Sequence, residues 1–497
     1  MLSHAWPRAI TPPLRLFGLA LCLVAAGTPR AESPERLAKR ECSKCHAFPL
    51  PGSMHREDWE KGAFPYLEDL LGIDQIENYD AATQAAVRAR WDAIRAYYLE
   101  HSAPKPGLAA PPKPSVNTAF GHRSTVEKLD VTAIYHDAAS GLVYVGDGQS
   151  RAVLVFDRAF RKVRTFAADM VPCDFELAGD RLYICSHDTL DPLDGDEGVV
   201  GFVTESGQGE YQPVLRGLNR PTRYVPFRHS GVEYAVLCEY GISKGKVTVY
   251  RESEPVFVLP MSGAIDCRVL DADTDGQPEV YVLIAQEHEC LLRLTVRPDG
   301  EVNPLVLIKK QPGWGFTAME MLDADGDGTV NVLLSNGDTT EFRSNPRRYH
   351  GIRIYDLGED ELVEKQFIPA HGAMDFTMLD ADADGDLDIA SVSYFADFRH
   401  KPHQAAMLHL RSDGQFTSQP LPGHGQGRWC RIASGDIDGD GDPDLLLGSL
   451  NYQTTTRPYE KDASFLRSIA VPRARLARWE QLGNHLLVLE NLPKRSR

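Results

Sequence analysis

Cys42-Ser43-Lys44-Cys45-His46 sets two thiols three residues apart with an imidazole directly after them. In this C-x-x-C-H arrangement the thiols can form thioethers to the two vinyl groups of one porphyrin, and the neighbouring imidazole comes under the iron. The spacing therefore predicts one covalent haem c, attached through Cys42 and Cys45 and ligated by His46. A thioredoxin-like redox pair would want a β-strand ahead of it, and a zinc site needs two more ligands nearby. No further cysteine occurs before Cys173.

A second chemistry is written in four acidic loops at regular spacing, the mark of a repeat architecture. They carry Asp271, Asp273, Asp275 and Glu279; Asp323, Asp325, Asp327 and Asn331; Asp380, Asp382, Asp384 and Asp388; and Asp436, Asp438, Asp440 and Asp444. Each puts oxygen ligands at positions 1, 3, 5 and 9, with a glycine at position 6 for a sharp turn, which is how a short loop wraps a hard cation. Up to four Ca2+ ions are expected. An EF-hand would need Glu at position 12, where Val282, Leu334, Ser391 and Leu447 stand inside apolar runs that read as strands.

Elements must deliver these groups. Ser33-Pro34-Glu35 gives a helix start with a capping hydroxyl, a proline at the first helical position and an acid at the positive end of the dipole. That helix runs into the C-x-x-C-H motif. Asp80 to His101 reads as another helix, with Val87, Trp91, Ile94 and Tyr98 on one apolar face. The prolines at 104, 106, 111, 112 and 114 favour extended polyproline II and mark a spacer over 104–116.

Arg8 and Arg15 ahead of Leu16 to Gly27, with a small-residue exit near Ala31, read as a secretory signal over 1–31. The mature protein is expected to be periplasmic or otherwise exported, with no membrane span after the signal is removed. Cys173, Cys185, Cys238, Cys267, Cys290 and Cys430 then face an oxidising compartment, as disulfides in a pairing the sequence does not choose or as buried thiols. A formal charge of −17 argues against nucleic acid as a partner.

The acidic loops resemble FG-GAP/VCBS repeats, whose calcium loop joins the two inner strands of a propeller blade. Leu142–Val145, Arg181–Cys185 and Tyr234–Cys238 occupy the post-loop strand position without the acids. Added to the four calcium repeats they imply seven blades, with Leu486–Asn491 as a closing strand. The order of parts, including Phe48-Pro49-x-Pro51, Trp59, His371-Gly372 and Gly427-Arg428-Trp429, is similar to exported bacterial propeller proteins with an N-terminal cytochrome c domain. The fold expected is multidomain: a small all-α cytochrome c domain over 32–103, then an all-β, seven-bladed propeller over 117–497.

That group implies a Pro-x-Met as distal haem ligand, but here the segment reads Pro65-Tyr66-Leu67, and leucine cannot ligate iron. Met54 and His55 are the candidate distal ligands, close to His46 in sequence. Three functions stand open. The first is electron transfer to or from a redox partner protein; the second is an oxidoreductase with a substrate site near His187, His371, His424, Trp314 and Arg428 at predicted strand ends. The third is a haem-based sensor or surface-binding module with a small-molecule or glycan ligand on the propeller. For the three histidines and Arg428 the more ordinary reading is a structural contact between blades. A quinone-cofactor dehydrogenase is disfavoured, because Trp314, Trp429 and Trp479 are too few for a repeated tryptophan docking motif.

Overall fold

The computed structural model describes residues 32–43, 48–103, 115–117, 119–188, 194–204, 210–271, 276–338, 347–450 and 473–492. The signal segment, most of the proline spacer, Cys45, His46, Asp273 and Asp275 lie outside the described residues. The chain divides into two compact units, Met1–Gly107 and Leu108–Arg497.

The first unit is a short helical region. Helix Pro34–Cys42 starts where the cap specifies: Ser33 Oγ accepts from the Arg36 amide at 3.3 Å, and Pro34 fills the first turn. Helix Ala81–Glu100 is capped by Asp80, whose carboxylate accepts from the Thr83 amide at 2.9 Å, and it buries Val87, Trp91, Ile94 and Tyr98 as its spacing requires. Leu37, Met54, Trp59 and Phe64 join these residues in one core. Edge-on aromatic pairs tighten it, Phe64 meeting Trp91 at 5.7 Å and Tyr98 at 6.2 Å.

The second unit contains seven four-stranded antiparallel sheets among the described residues. Their first strands are Val131–Asp137, Val171–Ala178, Pro221–His229, Ala264–Leu270, Phe316–Leu322, Ala373–Leu379 and Trp429–Gly435. Each packs against the next, and the last meets the first, so the sheets close into a ring of blades. Second strands such as Glu279–Ile284 are buried at every position, which explains their unbroken apolar runs. Fourth strands such as Gln212–Leu218 sit at the edge and are mostly exposed.

The expected closing strand is corrected in its role. His485–Asn491 is the third strand of the seventh blade, paired with Asp444–Ser449, and the blade is completed by the N-terminal strand Phe120–Glu127. Joining chain ends within one sheet leaves no open edge at the seam.

Every first strand carries a bulge near its start. At four of them the bulged side chain reaches the opening carbonyl of the next blade. Thr222 Oγ1 donates to Ala264 O at 2.8 Å, Thr317 Oγ1 to Ala373 O at 3.0 Å, Cys173 Sγ to Pro221 O at 3.1 Å and Cys430 Sγ to Val131 O at 3.4 Å. The six propeller cysteines are free thiols, and these two serve as weak equivalents of threonine in a clasp between blades. Thr317→Val keeps the shape and removes the donor, so it should cost about 1 to 2 kcal/mol. Chemical denaturation would show the lower midpoint; an unchanged midpoint would remove the clasp from the list of stabilising contacts.

Candidate functional site

The acidic loops connect first to second strands and therefore share one face of the propeller. In the loop at 323, Asp323 turns both carboxylate oxygens onto amides of its own loop, Oδ1 taking Gly326 N at 2.7 Å and Oδ2 taking Gly328 N at 2.9 Å. Asp380 likewise accepts from Asp384 N at 3.2 Å and Gly385 N at 3.1 Å. The sixth-position glycines 276, 328, 385 and 441 have φ of 81°, 88°, 93° and 97°, with open space where a Cβ would stand. Backbone conformation alone demands glycine there.

This folding gathers the first, third and fifth acids. Carboxylate oxygens of Asp323, Asp325 and Asp327 lie within 4.8 Å of one another, as do those of Asp380, Asp382 and Asp384 and those of Asp436, Asp438 and Asp440. Three converging carboxylates suit a hard divalent cation, so each triad could bind Ca2+. In the fourth loop Arg123 Nη1 sits 2.7 Å from Asp438 and 3.9 Å from Asp444, a built-in counter-charge.

The ninth residues stand beneath these triads as braces. Asp388 accepts from Ala381 N at 2.9 Å and Arg411 N at 2.7 Å; Asp444 accepts from Ile437 N at 3.3 Å and Asn491 N at 2.9 Å. Asn331 Oδ1 takes Ala324 N at 2.9 Å in the same way. Burial pushes Asp388 and Asp444 up to about 6. Glu279 is drawn elsewhere, to Arg293 at 3.1 Å and the Tyr281 hydroxyl at 2.6 Å, while Asp271 accepts from Gly276 N at 2.9 Å.

In the helical unit Cys42 ends its helix and packs against the core. The chain beyond the C-x-x-C-H motif is held by two buried aromatic donors: Trp59 Nε1 to Pro51 O at 2.8 Å and Tyr98 Oη to Pro49 O at 2.9 Å. Burial raises the Tyr98 hydroxyl, and the Cys42 thiol beside it adds to the shift. Met54 is buried in the core, its carbonyl accepting from Ala103 N at 2.9 Å. His55 Nδ1 lies 3.3 Å from Ala103 O.

His187, His371, His424, Trp314 and Arg428 fall on the face opposite the acidic loops, but they do not converge. His371 Nδ1 is 3.2 Å from Arg347 O, Trp314 stacks on Tyr349 at 4.6 Å, and Arg428 lies 3.5 Å over the Tyr394 ring. Sequence reasoning missed a charged belt on the inner strands. Arg223 bridges Asp174 at 2.9 Å and Glu176 at 2.7 Å and approaches Asp266 at 3.6 Å; Arg268 reaches Glu320 at 3.2 Å. Further round the ring Asp375, pushed up to about 6 by burial, accepts from Ile432 N at 3.1 Å. A charge two residues past the start of four inner strands, Arg223, Asp266, Asp375 and Arg431, is the signal that would have found them.

Glu289 was also missed. Fully buried, it accepts from Gly315 N at 3.0 Å and Phe316 N at 3.1 Å, across to the next blade, and burial pushes it up to about 8. The folded chain thus keeps a proton that the unfolded chain has released. Stability should fall as pH rises from about 4.5 toward 8 and level off above. Glu289→Gln should flatten that slope in melting curves; a variant with the wild-type slope would assign the pH dependence to another group.

The ring and its loops define a seven-bladed β-propeller with acidic blade turns. Residues 380–447 match the FG-GAP-like repeat family. No curated protein matches the chain. Among solved structures, the N-terminal domain of Nup159 is 9% identical, with 76% of this chain and 97% of that one covered at a TM-score of 0.42. BBS1N in complex with ARL6DN gives 8%, 77%, 99% and 0.45 for the same quantities. The Cps50 (Swd1) β-propeller domain of Myceliophteria thermophila gives 9%, 75%, 100% and 0.45. Likeness at this level bears on neither function nor partners.

Proposed function

We propose that the chain is an exported c-type cytochrome whose N-terminal unit carries one covalent haem and passes electrons to or from a redox partner, with a Ca2+-stabilised propeller for partner or ligand binding. The observation that carries the haem reading is Cys42-Ser43-Lys44-Cys45-His46 at the end of a capped helix, behind a secretory signal. Cys42 would hold the porphyrin with Cys45, and His46 would ligate the iron; when bound, the haem supplies one-electron chemistry. The residues described around the motif fit such a group. Cys42 borders an apolar, aromatic core, and Trp59 and Tyr98 hold the following backbone in place.

Met54 is buried in that core, while the contact of His55 Nδ1 with the Ala103 carbonyl leaves its Nε2 free; the reading is a haem that is five-coordinate or weakly held by Met54 or His55. An open position would also admit a small ligand such as CO or NO, and it lowers the potential relative to His/Met ligation. Reduced-minus-oxidised spectra before and after CO test both parts. A c-type spectrum that shifts with CO is expected; no haem bands would overturn the reading, and CO indifference with a methionine-to-iron charge-transfer band would overturn the open position.

A further inference from the structure

Two of the buried cysteines meet across a blade junction. Two residues past the bulged one, six of the seven first strands carry a large side chain: Ile134, Phe175, Tyr224, Met319, Phe376 and Ile432. The fourth blade alone has a small one there, Cys267. Its neighbour across the junction is Cys238, on the second strand of the third blade, and the two share one core with neither exposed. The Cys238 thiol is in side-chain hydrogen-bond contact with that of Cys267, and its sulfur lies 4.0 Å from the carbonyl oxygen of Asp266, the residue before Cys267.

The second blade supplies an internal comparison. Cys185 holds the place of Cys238 in its own strand, pairing with Asp174 as Cys238 pairs with Arg223, but its core across the junction contains the Tyr224 ring instead of a thiol. Cys173 and Cys430 spend their thiols on backbone carbonyls, Cys173 on Cys185 O at 3.3 Å and Pro221 O at 3.1 Å, and Cys430 on Val131 O at 3.4 Å.

We infer that Cys238 and Cys267 are joined in the mature protein by a disulfide that staples the third blade to the fourth. Both stand as thiols in the structure. Their oxidation forms one S–S bond and releases two protons and two electrons, which reduce the disulfide of a thiol-oxidising protein to two thiols. Contact with Cys267 and then burial hold the Cys238 thiol well above its ordinary range, so the closed ring offers no thiolate to begin the exchange. The bond therefore forms as the chain folds, before the two blades close on each other. It ties the last blade without an acidic loop to the first that has one, whose Glu279 is drawn to Arg293 at 3.1 Å. The inference rests on the proposed export for its oxidant and not on the haem.

The test is a peptide map of the mature chain, residues 32–497, exported behind a host secretory signal so that the outcome does not depend on the chain's own. The protein is alkylated in denaturant without reduction and digested with trypsin, which leaves Cys238 in peptide 229–244 and Cys267 in peptide 252–268. The two peptides should be recovered as one linked species, with Cys173, Cys185, Cys290 and Cys430 alkylated. Recovery of both mainly as separate alkylated peptides, or of either linked to another cysteine, would overturn the assignment. Reductant should lower the melting midpoint of the wild type by roughly 5 to 10 °C and leave that of Cys238→Ala/Cys267→Ala in place. An equal response of the two proteins would overturn the staple as well.

Discussion

Replacing Cys42 and Cys45 together by alanine should abolish haem staining of the denatured chain while leaving the propeller's melting midpoint unchanged. The effect is all-or-none because a thioether survives denaturing electrophoresis and ligation alone does not. Helix Pro34–Cys42 should tolerate the change: Cys42 is its last residue, Ser33 and Pro34 set its start, and alanine is a better helix former than cysteine. Loss of stain therefore reports attachment rather than unfolding. A double variant that stains like wild type would remove these cysteines from the chemistry.

Chelation should produce the other large change, lowering the melting midpoint of the propeller by on the order of ten degrees. Three triads hold their carboxylates within 4.8 Å, and that repulsion is relieved only by a cation or by protons. At about 100 times its dissociation constant, Ca2+ adds roughly 2.7 kcal/mol for each site, and a kilocalorie moves the midpoint of a large domain by about 2 to 4 °C. The loops should respond unequally. Arg123 partly neutralises the fourth loop, so Asp382→Asn/Asp384→Asn should remove more calcium dependence than Asp438→Asn/Asp440→Asn. Differential scanning calorimetry with metal analysis decides the matter. An unchanged midpoint in protein stripped of calcium would make the loops self-sufficient.

Much of the fold was legible because its signals are local. Glycine at the sixth loop position, acids at alternate positions and apolar runs at the second strands each specify a turn or strand without reference to the rest of the chain, and together they give seven blades. The helix caps at Ser33 and Asp80 are equally local. What escaped depends on closure of the ring. Leu486–Asn491 looks terminal, and nothing nearby in sequence says that Phe120–Glu127 pairs beside it. Asp174, Arg223, Asp266 and Arg268 read as solvent-facing positions of alternating strands until successive blades bring them together. The ninth loop acids read as ligands, and nothing nearby in sequence signals the bracing contacts that Asp388 and Asp444 also make with amides of the third strand.

The most direct measurement for the central claim is the intact mass of the denatured mature chain from a host that can mature c-type cytochromes. A single species heavier than the processed polypeptide by one haem, returning to the bare polypeptide mass in the Cys42→Ala/Cys45→Ala variant, is the result expected. A processed chain at the bare polypeptide mass, from cells whose other c-type cytochromes carry haem, would contradict it.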